Sequence, residues 1–115
     1  MTTIPTLRDK KRYIAFEITS EHTITRHEMS EEIHSSIGSL FGDAGASEIN
    51  AGLVSFEREY GILRCAREKT TQARAALACI NKLRGARVSV LVLGISGTIK
   101  GAMEKFIQQL PNKDS

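Results

Sequence analysis

Residues 93–102 read LGISGTIKGA. Three glycines, a serine, a threonine and a lysine follow the apolar run VSVLVL. A glycine-rich turn between a strand and a helix, with hydroxyls and a cation, presents backbone N–H groups and positive charge to an anion. The same residues also serve as an ordinary bend and helix cap, and spacing alone favours the cap. Nucleotide hydrolysis is excluded, because G-x-x-x-x-G-K-[ST] is missing and only one short helix follows. A nucleophile elbow, G-x-S-x-G, is excluded as well, because Thr98 stands where the second glycine would be.

Other chemistry is sparse. The stretch HEMSE at 27–31 resembles the start of a zinc-protease helix, but Glu31 occupies the place of the second histidine. His27, Glu31 and His34 share a helical face, and a solvated polar face is the preferred reading over a metal site. No Ser/His/Asp or Cys/His arrangement stands out. The acid pairs Glu31/Glu32 and Glu57/Glu59 fall in exposed helix and turn positions. Cys65 and Cys79 form no C-x-x-C motif and read as buried small apolar residues. No catalytic residue, metal site or protein-bound cofactor is therefore expected.

Basic side chains are better supplied. Residues 13–60 hold two arginines against nine acids, net −7, whereas residues 61–105 hold nine Lys/Arg against two glutamates, net +7. Residues 1–12 add four cations and one Asp. Such segregation suits a polyanionic partner, or simply two solvated faces of opposite sign. The candidate phosphate contacts are Arg8, Lys10, Lys11, Arg12, Arg64, Arg67, Lys69, Arg74, Arg84, Arg87 and Lys100, with Lys82 nearby. Ser96, Gly97 and Thr98 form the loop motif. Reading bases by stacked aromatics is not expected, because the third strand, GILRCAR, carries no aromatic.

The elements that must position these residues are legible from periodicity. KRYIAFEITS (11–20) alternates, with Ile14, Phe16 and Ile18 on one face and Tyr13, Ala15 and Glu17 on the other. A helix opens at Thr25 and Glu28, a T-x-x-E capping box, with Ile24 and Met29 as its staple. Its stripe is Met29, Ile33, Ile37, Leu40 and Phe41, and Gly42 ends it. Glu48–Glu57 and 62–67 read as strands joined by a turn at EREYG. KTTQARAALACINKLRG reads as one helix, capped by Thr70 or Thr71, lined by Ala73, Ala76, Leu77, Ile80 and Leu83, and closed by Gly85. Residues 87–95 form the last strand, with Val88, Val90 and Val92 on one face and Leu91, Leu93 and Ile95 on the other. Apolar on both faces, it requires cover on both. A short helix follows, with Ile99, Ala102, Met103, Phe106 and Leu110 on one side and Pro111 as its stop.

The expected class is an α/β sandwich (α+β): a ferredoxin-like split βαββαβ fold, a four-stranded antiparallel sheet with two helices on one face plus a C-terminal helix. The expected organisation is a basic arm over 1–11, a single domain over 12–110 and a tail over 111–115. No run of apolar residues is long enough to span a membrane, and the N-terminus has no apolar signal core. A cytoplasmic location with no membrane partner follows as the expectation.

Several segments together resemble the archaeal and eukaryotic ribonuclease P protein component 2 family: KRYIAFEI, FG…G after the first helix, YGILRC, RAALACI and above all GISGTIKGA. The resemblance covers residues 11–107. Its most specific part is Ser96, Gly97, Thr98, Ile99 and Lys100, joined by Arg12-Tyr13 and by Gly61, Ile62 and Arg64. It implies a non-catalytic subunit of ribonuclease P, which removes the 5′ leader of precursor tRNA. It further implies that the ribonuclease P RNA holds the active site and its Mg²⁺. The implied partners are that RNA, the component 3 protein and a second copy of the chain within a heterotetramer, with precursor tRNA contacted indirectly. Two alternatives stand beside it. One is a small ligand-binding or acylphosphatase-like domain, disfavoured by the glycine-free SEHTIT after the first strand. The other is a purely protein-binding adaptor.

Overall fold

The computed structural model describes residues 11–108. The expectations for Arg8, Lys10, Leu110, Pro111 and the 111–115 tail lie outside the described residues. The elements are β1 (Lys11–Ser20), α1 (Arg26–Ile49), β2 (Gly52–Glu57), β3 (Tyr60–Ala66), α2 (Thr70–Ala78), β4 (Lys82–Leu83), β5 (Ala86–Ser96) and α3 (Ile99–Ala102), which continues as one π turn through Met103–Ile107. The sheet is antiparallel and has five strands in the order β2-β3-β1-β5-β4.

One face of the sheet carries the main core. Ile14, Phe16, Ile18, Leu63, Cys65 and Val88 meet Met29, Ile33 and Ile37 of α1 and Ala73, Ala76 and Leu77 of α2. Burial pushes the Cys65 thiol up to about 11, so it stays protonated as a small core residue, whereas Cys79, expected to be buried too, is exposed just past the end of α2. Leu40, assigned to the α1 stripe by periodicity, is exposed instead.

The start of α1 follows the sequence rule closely. The Thr25 hydroxyl accepts from the Glu28 N–H at 3.1 Å, and the Glu28 carboxylate accepts from the Thr25 N–H at 3.0 Å. That second bond, followed by the nearby Arg84 cation, holds the Glu28 carboxyl below its ordinary 4.5, although desolvation opposes them. A depressed carboxylate stabilises the fold above its unfolded value, and that contribution is lost as pH falls through the folded value. Thr25→Ala removes only the capping hydroxyl and should cost about 1 kcal/mol. The titrating bond is tested by Glu28→Gln, which removes the charge that accepts from the Thr25 main-chain N–H: urea titrations repeated below pH 4.5 should show the gap between wild type and Glu28→Gln narrowing as the wild-type carboxylate is protonated.

The structure corrects the sequence in four places. First, Gly42 does break the helical backbone with positive φ (73°), as expected of a helix end, but a second helical stretch follows at once and runs to the buried Ile49, where Asn50 closes it in the left-handed region, so β2 starts at Gly52 rather than Glu48. Second, α2 ends at Ala78 and has no side-chain cap, with Lys69 at its N-cap position. The expected tail of that helix is instead β4, paired with β5 through Lys82–Arg87 and Leu83–Ala86. Arg84 and Gly85, both at positive φ (56° and 79°), form the two-residue turn between them. Gly85 thus serves a hairpin rather than a helix end, and the expected four-stranded sheet gains a fifth strand.

Third, β3 begins at Tyr60, so it does carry one aromatic, on the face opposite the core. Fourth, the β1–β5 register slips between Ala15 and Phe16, which pair with Gly94 and Val92. Leu93 is the extra residue of this bulge. Beyond it the alternation inverts, so Ile95 joins Val90 and Val92 against the core rather than sharing a face with Leu91.

The second face is covered by α3. Ala15, Ile62 and Ala102 are fully buried there, outside the main core, and the Phe106 ring lies over Gly94. Leu91 on the same face stays 59% exposed.

Candidate nucleic-acid interface

Antiparallel pairing brings the start of β1 together with the ends of β3 and β5. Lys11 pairs with Ala66, directly before Arg67, and Tyr13 pairs with both Arg64 and Ser96. This end of the sheet therefore gathers Lys11, Arg12, Arg64, Arg67, Lys69, the 96–98 loop and Lys100. The Arg12 guanidinium donates to the Lys11 carbonyl at 2.8 Å and lies beside Gly97.

Not all of these cations are equally available. Lys69 pairs with Glu48 at 3.3 Å. Arg64 is half-buried and lies across Gly52, where any Cβ would meet its guanidinium; its Nε is buried without a hydrogen-bond partner. The register sets Arg64 opposite Tyr13 rather than opposite Glu17, whose partner on β3 is Tyr60. Lys100 approaches only Glu104, at 4.0 Å on an exposed helix face, an interaction worth little. Lys11, Arg12, Arg67 and Lys100 are the cations this end offers most freely.

The remaining candidates lie elsewhere. Arg84 sits at the β4–β5 turn, at the opposite end of the sheet, and pairs with Glu28 at 3.1 Å. Arg87 is exposed on the same hairpin opposite Lys82. Arg74 is exposed on α2 and lines a cleft with Val90, Leu91 and Val92. Among the described residues, the sequence candidates therefore lie at both ends of the sheet and on α2.

The SGT loop is a cap. The Thr98 hydroxyl accepts from the Gly101 N–H at 2.9 Å, and the Ser96 hydroxyl accepts from the Thr98 N–H at 3.3 Å. Gly101 is packed against both hydroxyls. Gly97 is different: its φ is not positive, and a Cβ there would meet only Arg12 at 3.9 Å. Gly97 is thus neither left-handed nor crowded, whereas its neighbours Gly94 and Gly101 are crowded. Each hydroxyl of the 96–98 loop thus accepts one bond from the turn that starts α3.

The histidines are similarly accounted for. His27 pairs with Glu31 at 3.1 Å, while the His34 ring nitrogens face the Ser30 and Ala51 carbonyls at 2.9 and 3.1 Å. Among the described residues no three His, Cys, Asp or Glu side chains converge as a metal site requires.

Fold and site together define a small α+β domain that concentrates positive charge at one end of its sheet. The sequence profile of the Rpp14/Pop5 family matches residues 12–107, and the chain belongs to that family. Among relatives named ribonuclease P protein component 2, that of Methanosarcina barkeri is 45% identical, covering 91% of this chain and 78% of its own. The Pyrococcus horikoshii relative is 41% identical over 90% and 88% of the two chains, and the Archaeoglobus fulgidus relative 39% over 90% and 94%. A chain from the cryo-EM structure of yeast ribonuclease MRP has the same fold, with a TM-score of 0.65 at 13% identity over 85% of this chain and 79% of that one.

Proposed function

We propose that the chain is a protein subunit of ribonuclease P, without an active site of its own, that helps the RNA of the complex remove the 5′ leader from precursor tRNA. The observation that carries this reading is the basic sheet end, to which strand pairing brings Lys11, Arg12, Arg67 and Lys100 from three separate stretches of the sequence. Such a surface contacts phosphates without reading bases. The relatives' names agree with it. On this reading the RNA holds the catalytic Mg²⁺, the component 3 protein is the direct protein partner, a second copy joins the assembly, and the complex works in the cytoplasm. The order of the strands and helices supports a ferredoxin-like split βαββαβ arrangement, with β4 as an appended hairpin arm.

Reconstitution tests the reading. The isolated chain should leave precursor tRNA intact. Added to the cognate RNA and the component 3 protein at modest Mg²⁺, it should raise the cleavage rate, because its cations offset phosphate repulsion as the RNA folds. Cleavage by the chain alone, or no stimulation in the mixture, would falsify it.

A further inference from the structure

The strand β5 has one edge bonded to β1 along most of its length, while its other edge meets β4 only at Ala86 and Arg87. The Val88 N–H still reaches the Asn81 carbonyl at 3.0 Å. Beyond it, among the described residues, no segment pairs with that edge. Because Val88 directs its N–H outward, strand alternation directs those of Val90 and Val92 outward too.

Folded proteins usually protect such an edge with charge, proline or a covering element. Residues 88–99 contain no charged residue and no proline. Alongside runs a cleft of about 470 Å³, lined by Arg74, Ala75 and Ala78 of α2 and by Val90, Leu91 and Val92. The two exposed alanines leave room on the helix side for another chain's side chains. Leu91, on the opposite face, offers apolar surface to the residue beside it.

We propose that the free edge of β5 is a docking site for an extended segment of a protein partner, which adds a strand to the sheet. The segment is apolar at alternate positions and carries an Asp or Glu where it passes Arg74. The unpaired backbone supplies the affinity and the cleft the side-chain preference. The single cation in an otherwise neutral cleft sets the acidic position. A second copy of this chain fits less well, since two-fold antiparallel pairing about Leu91 would bring the two Arg74 side chains toward each other. This surface is separate from the basic sheet end, so the proposal stands independently of the RNA-binding reading.

A short synthetic peptide alternating valine and threonine, with one central glutamate, tests it against a twin carrying lysine there. The glutamate peptide should slow hydrogen exchange at the Val90 and Val92 amides. The lysine twin should bind at least about tenfold more weakly at low salt, because like charges would then face each other. Val90→Pro removes an outward donor without breaking a bond to β1, and should abolish binding; because Val90 packs against the core, some loss of thermal midpoint accompanies it, and retained protection of the β1 amides shows that the sheet is intact. Should that variant misfold, Arg74→Glu supplies the second arm: it should reverse the preference between the peptides. The proposal is overturned by equal binding of the two peptides, by protection confined to other amides, or by binding of neither. It is also overturned if these amides become protected, without peptide, as protein concentration rises and a dimer forms, since the occupant is then a second copy.

Discussion

Replacing Lys11, Arg12 and Lys100 together with alanine should weaken association with the cognate RNA by about two to three orders of magnitude at ~0.1 M salt. The estimate follows from counterion release: each lost phosphate contact lowers the log–log salt slope by about 0.7 to 0.9, or nearly tenfold in affinity at that salt. The three residues approach one another through β1, its partner β5 and the start of α3. Lys100 is exposed, while Arg12 spends one N–H on its own strand's backbone. None is part of the main core, so the triple variant should keep its thermal midpoint. The control is the other end of the sheet. Removing the charges of Lys82 and Arg87 should leave both affinity and slope near wild type. If this control pair lowers the slope and the triple variant does not, the RNA lies against the β4–β5 hairpin and the proposed surface is on the wrong end.

The capping box, the β1 alternation and the helix stripes on the core face were legible because each is a local rule: a residue three positions on, or a period of two or 3.6. What escaped the sequence was set by pairing. Helix propensity in INKLR cannot reveal that Arg84 and Gly85 both take positive φ and turn the chain back on itself. The bulge at Leu93 likewise exists only relative to β1, so Ile95 seemed to belong with Leu91 until the register moved it to the core face. The most specific part of the family resemblance and the anion-binding chemistry lay in residues 96–100, whereas the interface depends on where β1 starts and where β3 ends. Charge counts identified a basic half. They could not separate Arg84, engaged with Glu28, from Lys100, whose approach to Glu104 reaches only 4.0 Å.

Glycine gives the second large effect. Gly94→Val should destabilise the fold by about 1–3 kcal/mol, read as a lower urea midpoint, while Gly97→Val should stay within about 0.5 kcal/mol. The two glycines stand three residues apart in one motif, and sequence alone does not tell them apart. In the structure a Cβ on Gly94 would strike the Phe106 ring, whereas one on Gly97 meets a single Arg12 nitrogen at ordinary contact distance. Phe106 is a side chain and can swing away, so backbone strain is not the main cost. The cost is the cover that α3 gives to Ala15 and Ile62, both fully buried on that face. A double-mutant cycle isolates it. Phe106→Ala should itself destabilise, and adding Gly94→Val in that background should cost much less than in wild type, because the obstacle is gone. Equal costs in both backgrounds would show that the ring does not set the requirement for glycine.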